Sequence, residues 1–358
     1  MSFIIDLEDF LDIINDTIET NHTPYIVDPK TLSCEAQPLG FSAAVTMCIV
    51  HFSIFLLAIP GNLLVGCVIC SRRQNLAPSD VYLFHLTVAD GLLALTLPFW
   101  AIQAMTQRWL FGDFMCKFLS LILEANFYTS ILFLACISID RYLAIVHTTE
   151  TRKSRQQMCS RLLCGAVWVL GWALALPALF NDAFQPHPDS NKIICSERYD
   201  IGSATSWRIT TRGIRHIFGF FLPLIVMVTC YSITIARLLR TRGFQKHRAM
   251  KVILVVVAAF LLCWAPYHFT MIVDSILRAD LVPFSCAMRI SVDVALIVTH
   301  GLALFHSCIN PILYAFVGEK FRNNLKLLLQ KKLRKERMSG SKFSRSTSQT
   351  SEGSGSAL

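Results

Sequence analysis

Seven long apolar stretches constrain this chain more than any other feature of its sequence. A helix needs about 20 mostly apolar residues to cross the roughly 30 Å of hydrocarbon in a bilayer. Seven windows meet that requirement, near residues 44–70, 81–105, 118–146, 159–180, 217–236, 252–276 and 290–317. Connections between them are short and strand signals are absent, and backbone polar groups in lipid must be satisfied within each segment. The sequence therefore predicts an all-α membrane protein built as a seven-transmembrane helix bundle.

The charge of the short flanks predicts the orientation of this bundle. Residues 1–35 carry eight acids and one base, residues 236–251 carry six Lys or Arg and no acid, and the residues after 317 carry ten against three acids. Basic flanks favour the cytoplasmic side, so we expect a plasma-membrane protein with an extracellular N-terminus and a cytoplasmic C-terminus. The acidic start of the chain does not resemble a cleavable signal peptide, and we expect the first span to direct its own insertion.

Composition divides the chain into four segments. They are an acidic extracellular segment (1–43), the bundle (44–317), an amphipathic basic cytoplasmic helix (318–338) and a disordered Ser/Thr-rich tail (339–358). Sequons at Asn15 and Asn21 predict glycosylation of the first segment. Apolar residues share one face of the third segment, which indicates a short eighth helix on the inner lipid surface. The tail is either a phosphorylation platform or only a solubilising extension.

Four of the thirteen cysteines lie outside or at the outer ends of the spans: Cys34, Cys116, Cys195 and Cys286. The other nine fall within apolar spans or at their ends, where a thiol is usually a small hydrophobic group. Four cysteines allow three pairings. We expect Cys116 with Cys195 and Cys34 with Cys286, which would fasten the second outer loop to the third helix and the N-terminal segment to the last outer loop; the sequence leaves the other pairings open.

Charged residues inside the spans require an explanation, because a charge at the centre of a membrane helix costs at least about 2.5 kcal/mol. Asp90 and Glu124 should both face the interior of the bundle. Polar residues that could join Asp90 in binding a small cation such as sodium are Asn62, Asn126, Ser130, Ser307 and Asn310. Interhelical hydrogen bonding explains the same residues without any ion.

The triplet Asp140-Arg141-Tyr142 stands at the inner end of the third span. By itself it is also consistent with an interfacial pair whose long side chains reach toward water. Prolines inside several spans, including Pro266 and Pro311, remove helical hydrogen bonds and provide pivots. Such kinks suit a moving bundle, although rigid bundles contain them too.

Motifs in every span, taken in order, resemble the rhodopsin-like G-protein-coupled receptors. They are Gly61-Asn62, Leu86 to Asp90, Cys116, Asp140-Arg141-Tyr142, Trp168, Pro223, the segment Cys263 to Tyr267 and the segment Asn310 to Tyr314. The segment Thr96 to Trp100, DRYLAIVH at 140–147 and HSCINPILYAF at 306–316 look like chemokine receptors. QKHRAMKVI at 245–253 is most similar to CXC chemokine receptors of the interleukin-8 receptor group.

The resemblance implies that basic CXC chemokines are captured by the acidic N-terminal segment, including Asp9, Asp12 and Asp28, with Tyr25 as a sulfation candidate. A solvated acidic tail without a partner is the alternative. In the Glu-Leu-Arg sequence of interleukin-8-type ligands, the Glu would bind Arg208, Arg212 or Arg215 and the Arg would bind Asp274 or Asp293. Trp100 and His300 would also belong to the ligand site.

Two positions depart from the receptors compared. Leu123 and His300 stand where those receptors have Lys and Glu, so a charged pair of the pocket is replaced and ligand preference is open. Activation would pass from Trp264 to Pro266 and swing the sixth helix. Arg141 would then leave Asp140 and, with Tyr231 and Tyr314, help line a G-protein cleft. The other residues assigned to coupling and activation are Tyr142, Asn310 and Pro311.

The partners implied are an inhibitory-class heterotrimeric G protein, receptor kinases, arrestin and membrane lipid, with guidance of leukocytes, notably neutrophils, as the outcome. A homo-oligomer is compatible with the sequence, and no nucleic-acid partner or cofactor beyond a sodium ion is expected. A scavenging receptor that binds chemokines without signalling is the nearer alternative. A transporter or channel is the second, and the sequence lacks the inverted repeats it predicts. No catalytic constellation indicates an enzyme.

Overall fold

The computed structural model describes residues 40–71, 76–146, 153–185, 192–198, 204–240, 244–279, 281–283, 285–317, 321–328 and 330. Within these ranges seven helices are long and apolar enough to cross a membrane. The predicted seven-helix bundle is therefore confirmed. Acidic residues of the N-terminal segment, both sequons and the tail lie outside the described residues.

The spans are numbered here in chain order. The first four are α1 (Phe41–Cys70), α2 (Pro78–Thr106), α3 (Gly112–Val146) and α4 (Lys153–Ala175), the last continued by a 3-10 turn, Leu176–Phe180. Helix α5 runs through Ala204–His216, a π-helical turn at Ile217–Phe221, and Leu222–Leu239. Helix α6 is Phe244–Arg278, and α7 joins Cys286–Leu304 to His306–Val317. Residues 321–328, within the stretch predicted as an amphipathic helix, are helical and form α8.

Local chemistry explains how α2 begins and what separates it from α3. Pro78 occupies the first turn of α2, where a missing N–H costs nothing. The Asp80 carboxylate accepts the Ala77 N–H at 3.2 Å. Beyond α2, Gln107 and Gly112 have φ values of 56° and 76°, and this left-handed backbone breaks the helix.

Helices α3, α5 and α6 begin earlier than hydropathy predicts. They start at Gly112, Ala204 and Phe244 instead of near 118, 217 and 252. Charged residues in the extra turns lower the mean hydropathy, yet a helix can continue when those side chains face a polar cavity or a loop. The arginines of α5, described below, are the clearest case.

A short hairpin crosses one end of the bundle. Strands β1 (Asn181–Phe184) and β2 (Ile194–Glu197) pair antiparallel, with Ala183 opposite Cys195. The expectation that the chain has no strands is wrong here, because four-residue strands in a loop leave too short a pattern to read. We call this end of the bundle the hairpin end and the other the Arg141 end.

Small residues allow the helices to approach closely. A Cβ atom on Gly61 of α1 would lie 3.0 Å from Pro311 Cβ of α7. On Gly171 of α4 it would lie 2.4 Å from Thr129 Cγ2 of α3. Such contacts replace the hydrophobic effect as a source of helix association in lipid. The largest buried cluster lies between the helices and includes Leu86, Tyr128, Phe133, Met227 and Trp264.

Candidate functional site

A cavity of about 450 Å³ opens among the helices beneath the hairpin. Its volume lies within the range of roughly 300–1,000 Å³ that is usual for ligand pockets. Side chains of α2, α3, α5, α6 and α7 line it, together with residues 195–197 of β2. The predicted ligand residues that line the cavity are Trp100, Arg208, Arg212, Arg215 and His300.

A disulfide holds the hairpin over this cavity. Cys116 near the start of α3 is bonded to Cys195 of β2, as predicted. The Gln103 side chain of α2 accepts the Cys195 N–H at 3.0 Å. Asp113 of α3 accepts the Ala183 N–H at 2.9 Å. The hairpin is thus fastened to two helices and forms a fixed part of the cavity wall.

The second predicted disulfide is only partly visible. Cys286, at the start of α7, is disulfide-bonded. Its predicted partner, Cys34, lies outside the described residues, as do Asp9, Asp12, Asn15, Asn21, Tyr25 and Asp28. The pairing of Cys34 with Cys286 and the roles of those residues stay predictions.

Four charged residues form a chain of ion pairs across the mouth of the cavity. Arg212 of α5 donates from Nη1 to Asp274 Oδ2 of α6 at 2.6 Å and to Ser275 Oγ at 3.0 Å. Arg278 donates from Nε to both oxygens of Asp274, at 2.9 and 2.8 Å. Its Nη2 reaches Asp293 of α7 at 3.2 Å. We call Arg212, Asp274, Arg278 and Asp293 the clasp, because they join α5, α6 and α7.

The clasp changes how the predicted ligand residues must be understood. Sequence reasoning assigned Arg212 to a ligand carboxylate and Asp274 to a ligand guanidinium, but the structure pairs these two residues with each other. The sequence motifs do not point to Arg278; its spacing of four residues from Asp274 on one helix is the only signal for it. Asp274 is buried, with 2% of its side chain exposed, so its charge requires both arginines.

A second ion pair lies deeper in the cavity. Arg215 of α5 donates from Nε and Nη2 to the two oxygens of Glu124 on α3, at 2.9 and 2.6 Å. Its Nη1 donates to Tyr267 Oη of α6 at 3.0 Å. A two-pronged guanidinium–carboxylate contact is among the strongest polar contacts in proteins. It explains why Glu124 is tolerated inside a span, as the sequence led us to ask.

The two departures noted in the sequence face the other side of the cavity. Leu123 packs against the buried cluster that contains Leu93 and Leu304. The His300 ring lies 5.2 Å from the Tyr267 ring, measured between centroids. Within the described part of the chain, His300 forms no hydrogen bond.

A floor of aromatic rings closes the cavity. The Trp264 ring lies 4.5 Å from Phe127, 5.0 Å from His306 and 6.4 Å from Phe260. One turn along α6, His268 Nδ1 lies 2.9 Å from His216 Nδ1 of α5, a pair that sequence reasoning missed because the residues are 52 positions apart. Pro266 interrupts the hydrogen bonding of α6 at this level.

Below the floor, Asp90 of α2 is completely buried in a polar cluster. Ser130 donates to Asp90 Oδ1 at 2.9 Å and Asn310 donates to Oδ2 at 2.8 Å. His306 Nε2, which we did not foresee, lies 3.5 Å from Oδ1. Asn126 donates its amide N–H to the Ile122 carbonyl, and its buried Oδ1 has no hydrogen-bond partner within the described ranges.

Oxygen ligands are what a sodium ion requires, and Asp90, Ser130 and the orphaned Asn126 Oδ1 are of that kind. The residues present therefore fit such an ion. The amide N–H groups of Asn62 donate to the Ala58 and Ser307 carbonyls, both at 2.9 Å, and so join α1 to α7. Its Oδ1, like that of Asn126, is buried and has no hydrogen-bond partner within the described residues, so Asn62 stays a candidate ligand of the ion.

At the Arg141 end, polar contacts join α2, α3 and α5. Arg141 donates to Ser79 Oγ at the start of α2. The Ser138 hydroxyl of α3 is hydrogen-bonded to Tyr231 of α5. Asp140 and Tyr142 flank Arg141 on α3. Tyr314 belongs to α7, but its side chain lies outside the described residues, as does its predicted part in a cleft.

This arrangement is that of a receptor: seven spans, a hairpin-covered cavity at one end, a packed aromatic floor and a polar cluster near the other end. A family model described as 7 transmembrane receptor (rhodopsin family) matches residues 61–314. The chain belongs to that family, and it is a multi-pass membrane receptor and not an enzyme.

Its relatives narrow the class. Over 314 residues, which cover 87% of this chain and 84% of the relative, it is 42% identical to C-X-C chemokine receptor type 1 of Oryctolagus cuniculus. It is 40% identical to C-X-C chemokine receptor type 2 of Homo sapiens over 319 residues, 89% of this chain and 86% of that receptor. Macaca mulatta C-X-C chemokine receptor type 1 is 46% identical over 278 residues, 77% and 78% of the two chains. Within the rhodopsin family, this chain is thus a CXC chemokine receptor of the interleukin-8 receptor type.

Proposed function

We propose that the chain is a cell-surface receptor for CXC chemokines that carry Glu-Leu-Arg, and that it activates an inhibitory-class heterotrimeric G protein to drive leukocyte chemotaxis. The observation that supports this proposal most is the clasp. It places a guanidinium and a carboxylate side by side at the mouth of the cavity, where a ligand bearing both charges can exchange with them. The hairpin end faces the outside of the cell.

Binding begins with capture of a basic ligand by the acidic N-terminal segment, which raises the association rate through charge complementarity. The ligand tip then enters the cavity. The ligand glutamate forms an ion pair with Arg212, and the ligand arginine pairs with Asp274 and Asp293. These new ion pairs replace those of the clasp. The receptor charges stay paired through the exchange, and the new ion pairs offset the cost of removing the two ligand charges from water.

Exchange at the clasp alters the link between α5 and α6. In the resting receptor this link is the Arg212–Asp274 pair, 2.6 Å long. Its loss lets α6 turn about Pro266 over the Trp264 floor. A ligand can only shift the equilibrium by its difference in affinity for the two packings. The clasp is intact in the resting packing and broken in the active one. A ligand that binds the clasp residues therefore binds the active packing more tightly.

The shift reaches the Arg141 end as an opening between α3, α5 and α6. Arg141 leaves Ser79 and, with Tyr231, lines the cleft for the G protein. Receptor kinases and arrestin then act on the Ser/Thr-rich tail. Asp90, Ser130 and Asn126 would hold a sodium ion between α2 and α3, and that ion would supply a positive charge that favours the resting packing.

The test is inhibition of cyclic AMP in cells that express the chain, exposed to chemokines with and without Glu-Leu-Arg. We expect responses only to ligands that carry it. Arg212→Ala should weaken such a response at least tenfold, whereas Arg108→Ala, which removes an exposed arginine between α2 and α3 that does not line the cavity, should not. Uptake of ligand without any cyclic AMP change would support the scavenger instead, and silence to every CXC ligand would refute the ligand assignment.

A further inference from the structure

The cavity is divided into two halves of different chemistry. Its six charged lining residues come from α3, α5, α6 and β2; they are Glu124, Glu197, Arg208, Arg212, Arg215 and Arg278. We call this side the ionic half. Among the described residues, the lining toward α2 and α7 contains no charged side chain; this neutral half consists chiefly of Leu93, Trp100, Leu123, Leu296, His300 and Leu304.

Tyr267 stands on the boundary between the halves. Its hydroxyl accepts a hydrogen bond from Arg215 of the ionic half at 3.0 Å. Its ring contacts His300 of the neutral half, with 5.2 Å between ring centroids. Glu124 is the carboxylate nearest along the chain to Leu123, but both of its oxygens are taken by Arg215.

A cation placed in the neutral half would therefore find no counter-charge in the part of the chain that the structure describes. Leu123 is backed by an apolar cluster that includes Ile54, Leu93, Leu97 and Leu304. Asp90 does not line the cavity and already accepts hydrogen bonds from two side chains. Burial of an unpaired charge is strongly unfavourable, whereas an apolar group gains from the same surroundings.

We propose that the neutral half selects an uncharged, apolar side chain of the ligand, of about the size of leucine, next to an acidic group held in the ionic half. His300, which forms no hydrogen bond within the described residues, is available to the peptide group beside that side chain. Arginine of the ligand is excluded from the neutral half and stays at the clasp. The assignment of the side chain to a chemokine rests on the proposed function above, but the selectivity of the half-cavity does not.

The first experiment uses an interleukin-8-type chemokine with its Glu-Leu-Arg leucine kept, replaced by alanine or replaced by lysine. Affinities are measured on the unaltered receptor, on Leu123→Glu and on the control Leu302→Ala, whose side chain points out of the bundle. Alanine should weaken binding about tenfold, and lysine more than tenfold. Leu123→Glu should raise the affinity for the lysine ligand at least tenfold relative to the affinity for the leucine ligand. Equal binding of the leucine and lysine ligands to the unaltered receptor would overturn the proposal.

A second experiment needs no chemokine. Leu123→Cys and Thr211→Cys place a thiol in the neutral and the ionic half, and both are treated with anionic, cationic and neutral methanethiosulfonate reagents of similar size. The labelling rate of each reagent at each cysteine is divided by its rate with a free thiol in solution. The neutral reagent should be favoured at Leu123→Cys and the anionic reagent at Thr211→Cys, each about tenfold. If a charged reagent is favoured at Leu123→Cys, the proposal fails even when chemokines bind; if chemokines do not bind but the labelling holds, only the proposed function fails.

Discussion

The ion pair between Glu124 and Arg215 permits a quantitative prediction. Breaking a buried pair by neutralising one partner costs about 3–5 kcal/mol, because the other charge stays buried and unpaired. Here the side chains of Arg215 and Glu124 are 22% and 15% exposed to the cavity, and Arg215 keeps its bond to Tyr267. We therefore expect Glu124→Gln to cost about 2–3 kcal/mol.

The measurement is thermal unfolding of the purified, ligand-free receptor in detergent. For a chain of this length, a loss of that size lowers the midpoint by about 3–4 °C. The double variant Glu124→Leu with Arg215→Leu removes both charges and should be more stable than Glu124→Gln alone. Arg108→Ala is the control, because that side chain is exposed between α2 and α3 and exposed charges contribute at most about 1 kcal/mol. A midpoint for Glu124→Gln within about 1 °C of the unaltered receptor, or a double variant less stable than the single one, would refute the reasoning.

Three further predictions concern other parts of the bundle. Gly171→Ala places a methyl group 2.4 Å from Thr129 Cγ2 and should cost about 1–3 kcal/mol of stability. Adding Thr129→Ser, which deletes that atom, should restore part of the lost thermal-unfolding midpoint. If it restores none, the strain does not arise from this contact. Asp90→Asn should abolish any effect of sodium, compared with choline at equal ionic strength, on thermal stability and agonist affinity; an unchanged sodium effect would exclude the Asp90 site. Arg141→Ala should leave surface expression and ligand affinity unchanged but eliminate the cyclic AMP response, whereas loss of expression would make Arg141 a residue needed for folding.

Apolar length made the fold predictable, since a bilayer leaves few alternatives to a helix of about 20 apolar residues. Hydropathy predicts the limits of a helix only where the apolar stretch and the helix end at the same residue. In α5 they do not, because Arg208, Arg212 and Arg215 lower the hydropathy of helical turns that face a cavity. The hairpin was missed for the opposite reason, since its strands are held largely by a disulfide and by side chains of α2 and α3 and carry little pattern of their own.

Residue types of the site could be predicted, but their partners could not. Arg212 and Asp274 are 62 positions apart, and nothing in the sequence distinguishes two ligand contacts from one mutual pair. His306 was overlooked beside Ser307, although a polar residue within an apolar span was the signal available. The Asp90 cluster was predicted more fully, because its members are the few polar groups of their spans and lipid leaves them no other direction to face.

The π-helical turn at Ile217–Phe221 separates α5 into two parts with independent helical phase. A π turn holds one residue more than an α turn, and each residue of an α-helix accounts for about 100° of rotation. The directions of the Arg212 and Arg215 side chains around the helix axis are therefore offset from the helical phase that fixes the direction of Tyr231. The two ends of one helix can thus be altered separately: a deletion within the turn would rotate the arginines out of the cavity and leave the Tyr231 contact with Ser138 in place.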